Sequence, residues 1–228
     1  MIKFESVTKK YPSSQVALEE INLTIEDQDF VFIVGASGAG KSTLLKLITR
    51  ETSPTSGKIL INSQDIQKIP ASKLPLLRRQ IGTVFQDFKL LLTKTVFENV
   101  AVPLEVMSQK DSFIEREVST TLEKVGLLEK ANSFPLQLSG GEVQRTAIAR
   151  AIAAKPQILL ADEPTGDLDP KNSQEIVELL EKINHDDKTI IIMATHNAQI
   201  VNHFKKRVVV LEKGKITKDE KQGKYETS

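Results

Sequence analysis

Phe30 to Ser42 reads FVFIVGASGAGKS, an apolar run that meets a glycine-rich turn, a lysine and a serine. The apolar run is typical of a buried strand, and leucines recur at helical spacing over residues 42–49. The turn fits G-x-x-x-x-G-K-S, in which glycines let backbone N–H groups surround phosphate oxygens at the start of a helix. Such a match arises by chance in a chain of this length on the order of one time in a hundred. The stretch therefore predicts a strand, a phosphate-binding loop and a helix.

The remainder of the chain predicts an α/β fold. Short β-branched runs alternate with helix-period stretches, as in a largely parallel sheet with crossover helices. Residues 2–11 and 16–26 alternate in polarity and predict an antiparallel β element beside that sheet. Strand-like runs are missing from residues 87–154, where helical periodicity takes over. The expected parts of one domain spanning residues 1–228 are a core of 1–86 and 155–217, a helical subdomain of 87–154 and a frayed polar tail of 218–228.

Composition excludes several classes of protein. The 228 residues contain no cysteine, which excludes disulfide scaffolds, thiolate metal sites and cysteine nucleophiles. Lys and Arg number 31 and Asp and Glu 30, for a net charge of +1, so no nucleic-acid partner is expected. The longest apolar runs are far shorter than the ~20 residues that span a bilayer. We therefore expect a soluble, cytosolic chain that contacts a membrane only through a partner.

Two acids follow a second apolar run, in Ile158-Leu159-Leu160-Ala161-Asp162-Glu163. Because the carboxyl ends of parallel strands meet at one edge of a sheet, we expect these acids to face a nucleotide on the phosphate loop. Lys41 is predicted to reach the outer phosphates of that nucleotide. Asp162 is expected to organise Mg²⁺ together with Ser42, and Glu163 to polarise an attacking water. A lone Asp-Glu pair at a strand end is usually solvated, so the phosphate loop in the same chain is what favours the functional interpretation.

A third motif is Leu138-Ser139-Gly140-Gly141-Glu142, which precedes a helical stretch. Ser139 and Glu142 fit a helix capping box, a pattern found in many proteins. Two adjacent glycines lower helix propensity, so they indicate a further constraint. Close approach of the backbone to a phosphate is one such constraint.

In this order, the three motifs resemble those of the ATP-binding-cassette ATPases, and the resemblance covers nearly the whole chain. It implies an ABC-type nucleotide-binding domain with a P-loop RecA-like core, an N-terminal antiparallel β element and an inserted helical subdomain. Gln86 resembles the glutamine that joins core to helical subdomain and touches Mg²⁺ and water. His196 resembles the histidine that contacts the γ-phosphate, and Tyr11 the aromatic residue that stacks on adenine. Asp169 lies in a stretch resembling the loop that crosses between subunits.

The resemblance implies ATP and Mg²⁺ as ligands and a complete set of site residues. Because the Ser139-Gly140-Gly141 signature serves the nucleotide of the opposite subunit in this family, it also implies a head-to-tail homodimer when ATP is bound. The implied catalytic residues are Glu163, His196 and Gln86. The implied metal ligands are Ser42, Gln86 and Asp162. The implied ATP-binding residues are Tyr11, Gly35, Ser37, Gly38, Ala39, Gly40, Lys41, Ser42, Thr43, Ser139, Gly140, Gly141, Glu142 and Asp169.

Finer matches narrow the branch of the family. Residues 134–137, 160–169 and 193–197 resemble a branch of cell-division, lipoprotein-release and macrolide-export ATPases. Residues 76–79, 85–91 and 197–202 look most like the cell-division members of that branch. The resemblance implies a peripheral subunit on the cytoplasmic face of the cell membrane, whose integral membrane partner controls peptidoglycan hydrolases. The alternative within the family is the ATPase subunit of a lipoprotein-release or macrolide or peptide exporter.

Two further alternatives come from other classes of protein. A soluble cassette acting on DNA or ribosomes normally carries a coiled-coil insertion or a second cassette, and the sequence shows neither. A non-hydrolysing adaptor is disfavoured because Glu163 and His196 are intact. Four apolar residues follow Gln86, namely Phe88, Leu90, Leu91 and Leu92. We expect them either to form the docking site of the membrane partner or to be buried in the core of the helical subdomain.

Overall fold

The computed structural model describes residues 1–12 and 16–225 of the chain. Within these residues the strands, in order, are β1 (Ile2–Lys10), β2 (Val16–Ile25), β3 (Phe30–Val34), β4 (Ser56–Ile61), β5 (Gln64–Asp65), β6 (Ile81–Val84), β7 (Ile158–Asp162), β8 (Ile190–Thr195), β9 (Arg207–Glu212) and β10 (Lys215–Glu220). The α-helices are α1 (Lys41–Ile48), α2 (Leu74–Arg79), α3 (Val96–Val106), α4 (Asp111–Lys124), α5 (Gly140–Ile152), α6 (Pro170–Asp187) and α7 (Ala198–Phe204).

The central sheet has the strand order β10-β9-β3-β8-β7-β6. All of its neighbouring strands pair in parallel except β10, which is antiparallel to β9. Every residue of β3 and β8 is buried, because other elements cover both faces of the sheet, and such strands read as continuous apolar runs. The carboxyl ends of β3, β6, β7 and β8 therefore lie along the same edge.

A second sheet has the order β2-β1-β4-β5 and is antiparallel throughout. Its first two strands confirm the antiparallel element predicted for the N-terminal residues. The apolar side chains of this sheet share one core with α1 and with one face of the central sheet, and Ile2, Phe4, Leu18 and Leu44 are among its fully buried members. This shared core fixes the β3–α1 loop between the two sheets.

Helices α3 to α7 contribute to the core on the other face of the central sheet. We call α3, α4 and α5 the helical lobe. Thr95 starts α3 with a capping box, and Ser139 starts α5 in the same way. Residues 87–95, which join β6 to α3, contain no helix and consist of turns and irregular backbone. Among the described residues, no helix combines the length and the apolar character needed to cross a bilayer.

The prediction of a frayed tail is wrong for residues 218–225. Residues 218–220 complete β10 and pair with β9. The Tyr225 N–H donates to Asn202 Oδ1 at 2.8 Å, and Asn202 Nδ2 donates to the Tyr225 carbonyl oxygen at 2.9 Å. An edge strand with a solvated face carries polar side chains, so its composition resembles that of a tail. Residues 226–228 lie outside the described part of the chain.

Several short elements between residues 56 and 84 escaped sequence reasoning. Strand β4 begins with three exposed residues, and α2 has only 6 residues, too few to show helical periodicity. Gly82 and Thr83 interrupt the apolar run of β6. A Cβ on Gly82 would collide with the carbonyl oxygen of Ala151 in α5, so the glycine reflects close packing of strand against helix.

Candidate nucleotide site

The loop between β3 and α1 is shaped by its glycines. Gly40 has a φ of 110°, and a Cβ there would lie 2.5 Å from the Ala17 carbonyl oxygen. Gly38 has a φ of 79° with open space around it. No side chain caps the start of α1, so its first backbone N–H groups are left for water or a ligand. The loop thus has the geometry that binds phosphate at a helix N-terminus.

A pocket of about 280 Å³ lies beside this loop. Tyr11 forms part of its wall, with its hydroxyl 3.4 Å from Thr43 Oγ1. Ala17 of β2 also lines the pocket, and nothing in the sequence distinguishes it from any other strand alanine. Gly35 and Ala39 belong to the same loop but are buried and do not line the pocket. The lining residues are Tyr11, Ala17, Ser37, Gly38, Gly40, Lys41, Ser42, Thr43, Gln86 and Glu163.

Lys41 is held inside the loop. Its Nζ donates to the carbonyl oxygens of Gly35 at 2.8 Å and Ala36 at 3.3 Å. The same atom lies 3.6 Å from Glu163 Oε1, and the lysine side chain is only 9% exposed. Glu163 therefore supplies the carboxylate that pairs with this cation.

Glu163 follows β7 directly and has a φ of 49°, a left-handed backbone conformation. Its N–H donates to the Ala194 carbonyl oxygen at 2.9 Å. Its Oε1 lies 3.0 Å from His196 Nδ1, and the His196 N–H donates to Oε2 at 3.3 Å. A positive φ is costly for a residue with a side chain. Here it accompanies a carboxylate fixed between a lysine and a histidine, an arrangement that suits a general base.

Asp162 ends β7 and offers an oxygen suited to Mg²⁺. Burial raises the pKa of its carboxyl, and hydrogen bonding from Ser42 opposes that shift. Its Oδ1 is buried and has no hydrogen-bond partner within the described residues, a costly state for a carboxylate oxygen. In the part of the chain that the structure describes, no three His, Cys, Asp or Glu side chains form a metal site of their own. The donor set therefore fits a cation that takes its other ligands from phosphate and water.

Gln86 links the pocket to the surroundings of Asp162. It follows β6 in an exposed loop and lines both the pocket and an adjoining cavity that contains Asp162, Asp167 and Lys46. The fold thus brings together the ends of β3, β6, β7 and β8, and with them the phosphate loop, Gln86, the two acids and His196.

The second half of the predicted site lies elsewhere, because Ser139, Glu142 and Asp169 do not line the pocket. Glu142 Oε2 accepts from the Ser139 N–H at 2.8 Å, and the Glu142 N–H donates to Ser139 Oγ at 3.4 Å. Hydrogen bonds from Ser139 hold the pKa of the Glu142 carboxyl below its usual range. Asp169 caps α6 by accepting from the backbone N–H groups of Lys171 and Asn172. Within one chain, the signature residues therefore lie apart from the pocket beside the phosphate loop.

The two signature glycines have different surroundings. A Cβ on Gly141 would lie 2.9 Å from Asn172 Oδ1, the end of a side chain that would have to shift to make room for it. A Cβ on Gly140 would meet only Leu168 Cδ2, at 3.5 Å, an ordinary contact. Gly140 and Ser139 are both exposed. Within one chain, a side chain at Gly141 would thus crowd the Asn172 amide, whereas a side chain at Gly140 would crowd nothing among the described residues.

Comparison with known proteins identifies relatives over the full length of the chain. The family description "ABC transporter" matches residues 18–166. The chain is 52% identical to the cell division ATP-binding protein FtsE of Bacillus subtilis over 225 residues, covering 99% of this chain and 98% of the relative. Identity to the FtsE of Escherichia coli is 46% over 216 residues, covering 95% and 97% of the two chains.

Solved structures of ATP-binding cassettes resemble this chain over nearly its whole length. The ATP-binding cassette MJ0796, a dimer in a post-hydrolysis state bound to ADP and Pi, matches with a TM-score of 0.88 and 36% identity, covering 99% of this chain and 100% of that one. CbiO1 from Clostridium perfringens, part of the ABC transporter complex cbiONQ, matches with a TM-score of 0.91 and 30% identity, covering 97% and 88%. The predicted family, fold class and enzymatic activity are confirmed. The chain belongs to the ABC transporter family and is an ATP-binding and ATP-hydrolysing cassette of the kind that pairs with a membrane component.

Proposed function

We propose that this ATPase is the nucleotide-binding subunit of a cell-division complex. In this proposal it lies on the cytoplasmic face of the cell membrane, bound to an FtsX-like integral membrane protein. ATP-driven closure of two chains is transmitted through that partner to peptidoglycan hydrolases outside the membrane. The supporting observation is the 46–52% identity, over nearly the full chain, to proteins named as cell-division FtsE in four bacteria.

Within the proposed dimer, each ATP lies between the phosphate loop of one chain and the signature of the other. Lys41 and the loop N–H groups bind the phosphates, and Tyr11 supports the adenine. Glu163 accepts a proton from the attacking water, held in orientation by His196. The exposed Ser139 and Gly140, which face no nucleotide pocket of their own chain, support this division between subunits.

Mg²⁺ is proposed to bind at Asp162, Ser42 and Gln86. When bound, the ion neutralises charge on the transferring phosphoryl group. The unpartnered Asp162 Oδ1 supports this assignment. Asp162→Asn should bind nucleotide in EDTA as well as the wild type does, because the phosphate loop is unchanged. The tighter binding that Mg²⁺ gives the wild type should be absent from the variant in a fluorescent-nucleotide titration.

The membrane partner is proposed to dock in a groove of about 610 Å³ lined by α2, β6, α3 and the end of α5. Of the four apolar residues proposed to receive it, Phe88 and Leu90 pack against the core of the lobe. Leu91 lines the groove and is 45% exposed, and Leu92 is 56% exposed. The charged side chains that line the groove are all cations, namely Arg78, Arg79, Lys89 and Arg150. An amphipathic helix with acidic residues matches this apolar floor and basic rim.

Co-purification from membranes tests the proposal. Arg79→Glu should greatly reduce recovery of the membrane protein that purifies with the wild-type chain, because it places an acid against the acidic helix. Lys182→Glu, on the exposed face of α6, is the matched control and should recover the partner normally. A four-helix membrane protein with one large extracellular loop supports the division assignment. Recovery of an exporter's membrane subunit instead would support the exporter alternative and overturn the division assignment.

A further inference from the structure

The loop that carries Gln86 is tied to the helical lobe by two side chains. Arg150, in the last turn of α5, donates from Nη1 to the Lys89 carbonyl oxygen and from Nη2 to the Phe88 carbonyl oxygen, both at 2.6 Å. Farther along, Asn99 of α3 accepts from the Leu91 N–H at 2.8 Å and donates to the Leu91 carbonyl oxygen at 3.0 Å. The carbonyl groups of Phe88 and Lys89 and both backbone groups of Leu91 are therefore bonded to the lobe. Gln86, in the same loop, lines the nucleotide pocket.

The two residues held by Arg150 have an unfavourable backbone. Phe88 has a φ of 58° and Lys89 a φ of 50°, so two consecutive residues with side chains are left-handed. L-residues visit this region singly and at a cost, and such conformations persist only where surrounding contacts impose them. The guanidinium fork bonds the carbonyl of each strained residue, so it is a contact able to impose this conformation.

Stability alone does not explain an arginine at this position. Burial lowers the pKa of the Arg150 guanidinium. Among the ion pairs of the described residues, none includes Arg150, so its charge is met by carbonyl dipoles. A partly buried cation without a carboxylate is costly, and a neutral side chain of similar length would avoid that cost.

Arg150 also joins two parts of the nucleotide machinery. Its helix, α5, begins at the signature residues Ser139 to Glu142 and ends 13 residues later beside the Gln86 loop. A helix is stiff over this length, so a displacement at the signature end is transmitted to its last turn.

We propose that Arg150 is a positioning residue for ATP hydrolysis, whose guanidinium locks the strained Phe88–Lys89 backbone to α5 so that Gln86 moves with the signature helix. The inference rests on the role of Gln86 proposed above. In the assembled dimer, the start of α5 would contact the nucleotide bound by the partner chain. The end of α5 would set the position of Gln86 beside the nucleotide bound by its own chain. Arg150 thereby couples the two sites.

Steady-state phosphate release by the full-length chain, measured without any membrane partner, tests the proposal. Arg150→Met should lower kcat about ten- to a hundredfold, the scale expected for a displaced catalytic group, and change KM for ATP less. Arg150→Lys should give an intermediate kcat, because an ammonium group lacks the fork that reaches both carbonyls. Arg116→Met, on the exposed face of α4, is the matched control and should behave as wild type. A raised KM with unchanged kcat overturns the proposal.

A double-mutant cycle separates positioning from general stabilisation. If Arg150 acts through Gln86, Gln86→Ala combined with Arg150→Met should be no slower than Gln86→Ala alone. If the losses of kcat in the two single variants multiply in the double variant, the proposal is overturned. A normal kcat for Gln86→Ala would remove the role proposed for Gln86, and with it this inference. Where Arg150→Met shows no cooperative thermal transition, Arg150→Lys takes its place in the cycle. Hydrogen exchange over residues 85–95 should be faster in the Arg150 variants than in Arg116→Met, and equal rates contradict the clamp.

Discussion

Replacing Glu163 by glutamine isolates the chemistry of hydrolysis from nucleotide binding. The side chain is 13% exposed, and its Oε1 lies 3.0 Å from His196 Nδ1. Glutamine has the same shape and retains an oxygen able to accept from the His196 N–H, so the fold around β7 should be preserved. The variant loses only the capacity to accept a proton. A positioned base contributes ~10² to 10⁴ in rate, so the barrier should rise by about 3 to 5 kcal/mol.

Binding of ATP should not weaken in this variant. Lys41 Nζ is 3.6 Å from the Glu163 carboxylate, and opposite charges about 4 Å apart attract by about 4 kcal/mol at an effective dielectric constant of 20. Removing the carboxylate frees Lys41 for the phosphates and removes a negative charge near them. We therefore expect a Kd for ATP equal to or lower than that of the wild type. With ATP and Mg²⁺, the Glu163→Gln chain should accumulate as a dimer.

Phosphate release, fluorescent-nucleotide titration and gel filtration measure these three quantities. Glu115→Gln, on the exposed face of α4, is the control and should match the wild type in each. Turnover of Glu163→Gln within tenfold of the wild type would assign the base to another residue. A persistent monomer at micromolar protein with ATP and Mg²⁺ would contradict the shared site.

Three further experiments test other parts of the structure. Lys41→Ala and Gly140→Asp chains should each be inactive alone, but an equal mixture of the two should recover about a quarter of wild-type phosphate release. Half of the dimers in the mixture contain one chain of each kind, and each of these dimers has one intact site out of two. No recovery would indicate that one chain forms a whole site. Gly141→Ala should change the free energy of unfolding by less than about 1 kcal/mol, because the helix propensity that alanine adds offsets the shift of the Asn172 side chain that its Cβ requires. A loss of about 3 kcal/mol, the scale of overpacking, would show that Asn172 cannot move. Hydrogen bonding to Lys155 lowers the pKa of Glu117 from 4.5, so Glu117→Gln should be less stable than the wild type at pH 7. That difference should disappear as the pH falls below 4.5 through the pKa of the folded state, and a difference constant with pH would rule out the ion pair as its cause.

Sequence reasoning succeeded where a residue acts through its own backbone or its near neighbours. The apolar run ending at Gly35 becomes β3, and Ser139 and Glu142 form the predicted capping box. It failed at residues 218–225, where a polar edge strand resembles a tail. In the apolar cluster after Gln86, sequence did not separate the half-buried Leu90, which packs against the core, from the exposed Leu92, because nearby leucines in an irregular loop have no periodicity.

Contiguous motifs identified the family and the α/β class and predicted the residue types of the ATPase site, because the phosphate loop, the strand-end acids and the signature each occupy a single stretch of sequence. The folded chain shows which of these residues share a pocket, because Lys41, Ser42 and Glu163 line it whereas Ser139 and Gly140 lie exposed elsewhere. It also shows that a side chain at Gly141 would crowd the Asn172 amide, whereas one at Gly140 would make only an ordinary contact. Arg150 carried no signal in the sequence, since its partners are carbonyl groups about 60 residues away. Backbone carbonyls are common to every residue, so an interaction with them is visible only once the chain is folded.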